Sequence, residues 1–139
     1  MIIDKLNWLI NVKKELYDNN GRDLYDIIFE TLEKNKMTYP TFLSMASEGH
    51  GFSPSEGNGY ALDQDWDIPE EFDEVSFMFG DYESSTLSPQ KFVELMQVIT
   101  DSYITEYPEN KNTIERSMTK LKERYTWYQS NFTSPSPTG

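Results

Sequence analysis

The hydrophobic period changes twice along this chain, and that restricts the fold more than any other feature of its 139 residues. Leu24, Ile27, Ile28, Thr31 and Leu32 recur at i, i+3, i+4, i+7 and i+8, which is one face of a helix. Val75, Phe77 and Phe79 instead alternate with Ser76 and Met78, the two-residue period of a strand, here read as buried largely on both sides. Phe92, Leu95, Met96, Ile99, Tyr103 and Tyr107 then return to the helical period. The expected class is α+β: a single helix-rich domain with a small antiparallel sheet or hairpin in the second half. That domain is expected over 1–130, with a low-complexity tail over 131–139 (Ser134-Pro135-Ser136-Pro137).

Local signals set the element ends. A first helix is expected over 3–18, with Ile3, Leu6, Ile10, Val12, Leu16 and Tyr17 on one side. Asn19-Asn20-Gly21 stops it, since Asn and Gly accept the left-handed conformation that closes a helix. The second helix is expected over 23–34, and a short third from Pro40 to Glu48, with Pro in its first turn. Gly49 to Tyr60 is rich in Gly, Pro, Ser and Asn and reads as loop. Gly80 to Glu83 reads as a turn and Ser84 to Leu87 as a short partner strand. A lone hairpin is not stable, so further short strands or packing on helices must support it. Ser88-Pro89 starts a helix, with Ser as cap and Pro at the first position. A last helix is expected over 110–128, with Ile114, Met118, Leu121, Tyr125 and Tyr128 inward. Lys120, Lys122 and Arg124 near its end suit the negative pole of the helix.

Charge is distributed unevenly. Between Lys36 and Lys91 there is no lysine or arginine, and those 54 residues carry eleven carboxylates. The formal balance is −1 for residues 1–36, −11 for 37–90 and 0 for 91–139, within a net of −12. Such a field repels nucleic acid and acidic membranes and attracts basic partners. Solvating acidic tracts are poor in aromatics. This one is threaded with Trp66, Ile68, Phe72, Phe77, Phe79 and Tyr82, so an ordered contact surface is expected over a plain solvated face. The expected partner-binding residues are Asp63, Asp65, Trp66, Asp67, Glu70, Glu71, Phe72, Asp73, Asp81, Tyr82 and Glu83. Trp66, Phe72 and Tyr82 are the expected aromatic anchors. The Gly49–Tyr60 loop is a further candidate, because loops often carry contacts.

Other chemistries fit less well. There is no cysteine and one histidine, so neither a disulfide framework nor a thiolate or His-rich metal site is expected. Asp63, Asp65, Asp67 and Glu74 stand at calcium-loop positions, but Ile68 occupies the place where such a loop needs Gly. Glu48 and His50 lack a nucleophile in a recognisable elbow. A pair such as Asp65 and Asp67 carries no weight as a glycosidase pair where carboxylates are this dense. No enzyme activity and no cofactor are expected. The start of the chain lacks the apolar run of a signal peptide, and no window is apolar enough to span a membrane. A soluble, cytoplasmic protein is expected.

One resemblance rests on particular residues. Glu71-Phe72-Asp73-Glu74-Val75-Ser76-Phe77 is an aromatic strand preceded by acids. A helix start at Leu87-Ser88, then Phe92, and a tyrosine-rich helix ending in Glu106-Tyr107-Pro108-Glu109 follow it. Over roughly residues 60–125 this resembles the immunity proteins of bacterial contact-dependent growth inhibition systems, the CdiI type that protects against ribonuclease toxins. The resemblance implies a cytoplasmic protein that binds a cognate toxin domain and blocks it, without catalysis. The charge reading points the same way, because a ribonuclease must have a basic cleft for its polyanionic substrate. The alternative is an acidic mimic of nucleic acid, or a regulatory adaptor, bound to a basic host protein. Neither reading fixes the oligomeric state.

Overall fold

A computed structural model describes residues 5–132, with side chains from 5 to 126. Ile3, the side chain of Tyr128 and the tail beyond Phe132 lie outside what is described. The fold is α+β, with a four-stranded antiparallel sheet between two helical segments. The elements are α1 (Asn7–Ile10), α2 (Lys13–Asp18), α3 (Arg22–Glu33), α4 (Tyr39–Ser47), β1 (Phe52–Ser55), β2 (Asn58–Ala61), β3 (Val75–Phe79), β4 (Tyr82–Leu87), α5 (Pro89–Glu106) and α6 (Lys111–Phe132). Among the described residues no helix is long and apolar enough to cross a membrane.

The strands lie in chain order β1-β2-β3-β4, each antiparallel to the next. The segment expected to be loop, 49–60, instead contains β1 and most of β2, joined by a turn at Glu56-Gly57. Its Gly and Ser residues have little intrinsic strand preference. What holds it in the sheet is Tyr60, whose ring stacks on Phe42 of α4 at 5.5 Å and on Phe77 of β3 at 5.8 Å, and tilts against Phe92 of α5 at 5.8 Å. β3 is covered on one face rather than both. Val75 and Phe77 are fully buried, while Ser76 and Met78 point to the open face and are half-buried. The β3–β4 turn is tighter than expected: Gly80 and Asp81 alone make it, both at positive φ, and Tyr82 already pairs with Phe79. Two positive-φ residues match the twist of the flanking strands.

The helices meet the sheet through α3, which lies against β1 and β2, and through Phe42 of α4 and Phe92 of α5, which meet Tyr60; α6 packs across α4 and α5. The expected first helix is broken at Asn11 and Val12 into α1 and α2, which changes the buried side. Trp8, Leu9 and Leu16 are buried, whereas Ile10 and Tyr17 are exposed. Trp8 lies edge-on to Tyr39 and Tyr103 at 5.4 and 5.0 Å, joining α1 to α4 and α5. Asn20 takes the left-handed conformation, and the Gly21 amide donates to the Leu16 carbonyl at 2.7 Å, closing α2 as its sequence predicts. At the start of α5 the Ser88 hydroxyl accepts from the Lys91 amide at 3.0 Å. Ser88→Ala is therefore expected to lower stability by about 1 kcal/mol in a denaturant titration.

Candidate functional site

The acid-rich connection between β2 and β3, residues 62–74, is anchored at both ends. At its start, a short 3-10 turn (Asp63–Asp65) buries Asp63 completely. Arg124 of α6 donates to it from two nitrogens, Nε to Oδ1 at 3.0 Å and to Oδ2 at 3.2 Å, and Nη2 to Oδ2 at 2.7 Å. The Tyr125 hydroxyl adds a bond to Oδ1 at 2.8 Å, and the Gln64 amide one to Oδ2 at 3.1 Å. Burial alone would raise the Asp63 pKa. Hydrogen bonds from Arg124, Gln64 and Tyr125, with the Arg124 charge, outweigh it and hold the group below its ordinary value of 3.8. The same burial, with the Asp63 charge and hydrogen bond, pushes the Tyr125 phenol up.

The next carboxylate is also structural. Asp65 Oδ2 accepts from the backbone amides of Gly51 at 2.7 Å and Leu62 at 2.8 Å, and Oδ1 lies 3.9 Å from His50 Nδ1. The Gln64 amide donates to the Gly49 carbonyl at 2.9 Å. Residues 49–51 therefore form the wall against which the connection starts. Gly49 has φ +88°, and a Cβ there would fall 2.6 Å from Arg124 Nη2. Gly49→Ala is expected to cost about 1–2 kcal/mol, read as a lowered denaturation midpoint, from left-handed strain together with displacement of the guanidinium.

At the far end Phe72 is fully buried, tilted against Tyr125 at 5.7 Å. Trp66 closes edge-on against Phe72 at 5.5 Å. These two rings form a neck, and residues 67–71 between them are a largely exposed segment, the knob, whose 3-10 turn Pro69–Glu71 lies against the turn Asp63–Asp65. Asp67, Glu70 and Glu71 are exposed on the knob, and Asp73 and Glu74 just beyond it. Among the described residues none of these five has a basic group within 4.0 Å. At the centre of the knob Ile68 is 51% exposed. The sequence shows Ile68 among the apolar and aromatic residues threaded through the acids, but it was not among the expected contact residues because a single apolar residue has no period. The available signal was its place between Asp67 and Pro69-Glu70, outside any buried stripe.

The eleven expected contact residues therefore separate. Asp67, Glu70, Glu71 and Asp73 are free to meet a partner, and Trp66 is half-buried at the neck. Asp63 and Phe72 are corrected: both are 0% exposed and belong to the anchor, not to a contact surface. Asp65 is exposed but engaged with two backbone amides. Asp81, Tyr82 and Glu83 lie at the opposite end of β3, on the order of 15 Å away at a rise of ~3.4 Å per residue. They do not join the knob. There the two hairpin tips meet, with the Asp81 amide donating to the Gly57 carbonyl at 3.0 Å. Lys120 and Arg124 do not serve the pole of α6, which runs on to Phe132. They pair instead with Glu48 and Asp63. The calcium-like spacing does not form a cage, because Asp63 is filled by Arg124 and Tyr125. Among the described residues no group of three or more acidic or His side chains converges for a metal ion.

The α+β class is thus defined by its sheet order and by a knob carried on an anchored connection. No protein-family model, curated protein or solved structure matches this chain.

Proposed function

We propose that this chain is an immunity protein that binds a cognate cytotoxic nuclease domain, of the ribonuclease type, and occludes its basic cleft without catalysis. The observation that carries the reading is the knob. Three unpaired carboxylates, Asp67, Glu70 and Glu71, surround exposed Ile68 on a loop whose neck is closed by Trp66 and Phe72. A loop already ordered before binding loses little conformational freedom on association. Carboxylates without internal counter-ions give a field that steers a basic partner, raising association by about 10–10³-fold. An apolar residue at the centre of such a ring supplies a desolvated contact that slows dissociation. The resemblance over residues 60–125 names the partner class.

The acidic-mimic reading receives less support. A mimic presents carboxylates at regular phosphate intervals along one face. Here they gather on one loop and one hairpin tip at opposite ends of a strand.

The test is co-purification with the toxin domain encoded beside this gene, followed by a ribonuclease assay. A one-to-one complex with loss of nuclease activity is expected, and failure of the two to associate contradicts the proposal. Within such a complex, Ile68→Ala is expected to speed dissociation about tenfold with little change in association rate, since removing an apolar anchor acts mainly on the off-rate. Surface plasmon resonance separates the two rates.

A further inference from the structure

The two edges of the sheet are not alike. β1 is four residues long, contains Pro54, which has no amide hydrogen to offer, and has a register irregularity between Phe52 and Ser55. α3 packs beside it. β4 is six residues long and contains no Pro, Lys or Arg, residues that commonly guard an edge. Among the described residues its backbone bonds only to β3. Tyr82, Glu83, Ser84 and Thr86 are exposed, Tyr82 at 78%.

One irregularity interrupts β4. Phe77 pairs with Ser85 and Met78 with Glu83, so Ser84 is the extra residue of a bulge. Bulges re-aim side chains. Beside this one lies a cavity of about 420 Å³ lined by Arg22, Asp23, Asp26, Phe79 and Ser84. That is room for one long side chain, with an aromatic wall and two carboxylates. Asp23 accepts from Ser85 Oγ at 2.5 Å and Asp26 from the Tyr17 hydroxyl at 2.9 Å, so both are held in place.

We infer that β4 takes an extended, basic segment of a partner protein as a fifth antiparallel strand, with one Lys or Arg of that segment entering the cavity at Ser84. Free ladder groups supply affinity in this mode, and side-chain pockets supply selectivity. Charge decides the occupant. Asp23, Asp26, Asp81 and Glu83 border the edge, with Arg22 the one cation lining the cavity. Pairing β4 with β4 of a second copy would bring all four carboxylates of each chain together, whereas a basic strand neutralises them. This surface is separate from the knob, and the inference does not rest on the toxin reading.

The probe is a synthetic eight-residue peptide alternating Lys with Val and Thr, added to the full chain and followed by NMR amide shifts and hydrogen exchange. Alternate β4 amides, fast in the free monomer, are expected to slow at least tenfold, while amides 66–72 stay unchanged. A backbone N-methylated peptide and a Glu-for-Lys peptide are expected to leave β4 unaltered. Asp26→Asn keeps an acceptor for Tyr17 and is expected to weaken the basic peptide several-fold. Slow β4 amides in the free monomer, binding at the knob without β4, or no binding would overturn the inference. So would a concentration-dependent dimer with β4 protected, which assigns the edge to a second copy.

Discussion

Replacing Asp63 by alanine is expected to lower stability by about 3 kcal/mol, because it removes the acceptor that Arg124, Tyr125 and Gln64 share at a fully buried position. Arg124 and the Tyr125 hydroxyl would each lose their hydrogen bonds to this carboxylate. At about 3 °C per kcal/mol for a chain of this size, the melting temperature is expected to fall by roughly 10 °C in calorimetry. The pH dependence follows from the same site. The folded Asp63 pKa lies below its ordinary 3.8, so its contribution is fully present above that value. It is lost as pH falls through the lower, folded value. Wild-type stability should therefore drop on acidification in that window, and Asp63→Ala should remove this part of the slope. A change near zero for Asp63→Ala would contradict the anchoring role.

Reversing Asp67, Glu70 and Glu71 to lysine is expected to slow association with the nuclease domain by about 100-fold at low salt, within the range that steering supplies. The dependence of the on-rate on ionic strength should flatten at the same time. Fold stability should hold, because none of the three side chains has a hydrogen bond or ion pair among the described residues. Stopped-flow binding at several salt concentrations reads both quantities. Asp65 is left unchanged, since reversing it would break its bonds to Gly51 and Leu62 and confuse binding with folding. Unchanged kinetics in the triple variant would move the interface elsewhere.

Elements written in local pattern were legible. The Leu24–Leu32 stripe became α3, with Leu24, Ile27, Ile28 and Thr31 fully buried. Ser88-Pro89 opened α5, and the Val75–Phe79 alternation became β3. Elements that depend on distant contacts were not. β1 and β2 are poor strand formers locally and exist because Tyr60 stacks between α4 and β3. The break at Asn11 and Val12 has no Gly or Pro to announce it.

At the candidate site, sequence located the acidic segment but could not sort its members. Asp63 and Asp67 look alike in the chain. One meets Arg124 across 61 positions and is buried; the other meets solvent. Like-charged residues differ in role once an opposite charge reaches some of them, and the reaching helix follows the sheet.

The most direct test of the knob as interface is amide hydrogen exchange on the complex with the nuclease domain encoded beside this gene, compared with the free chain. Slowed exchange concentrated at residues 66–72, lost in the Asp67, Glu70 and Glu71 reversal, is the expected result. A tight complex that leaves 66–72 unchanged and protects another surface would contradict the account.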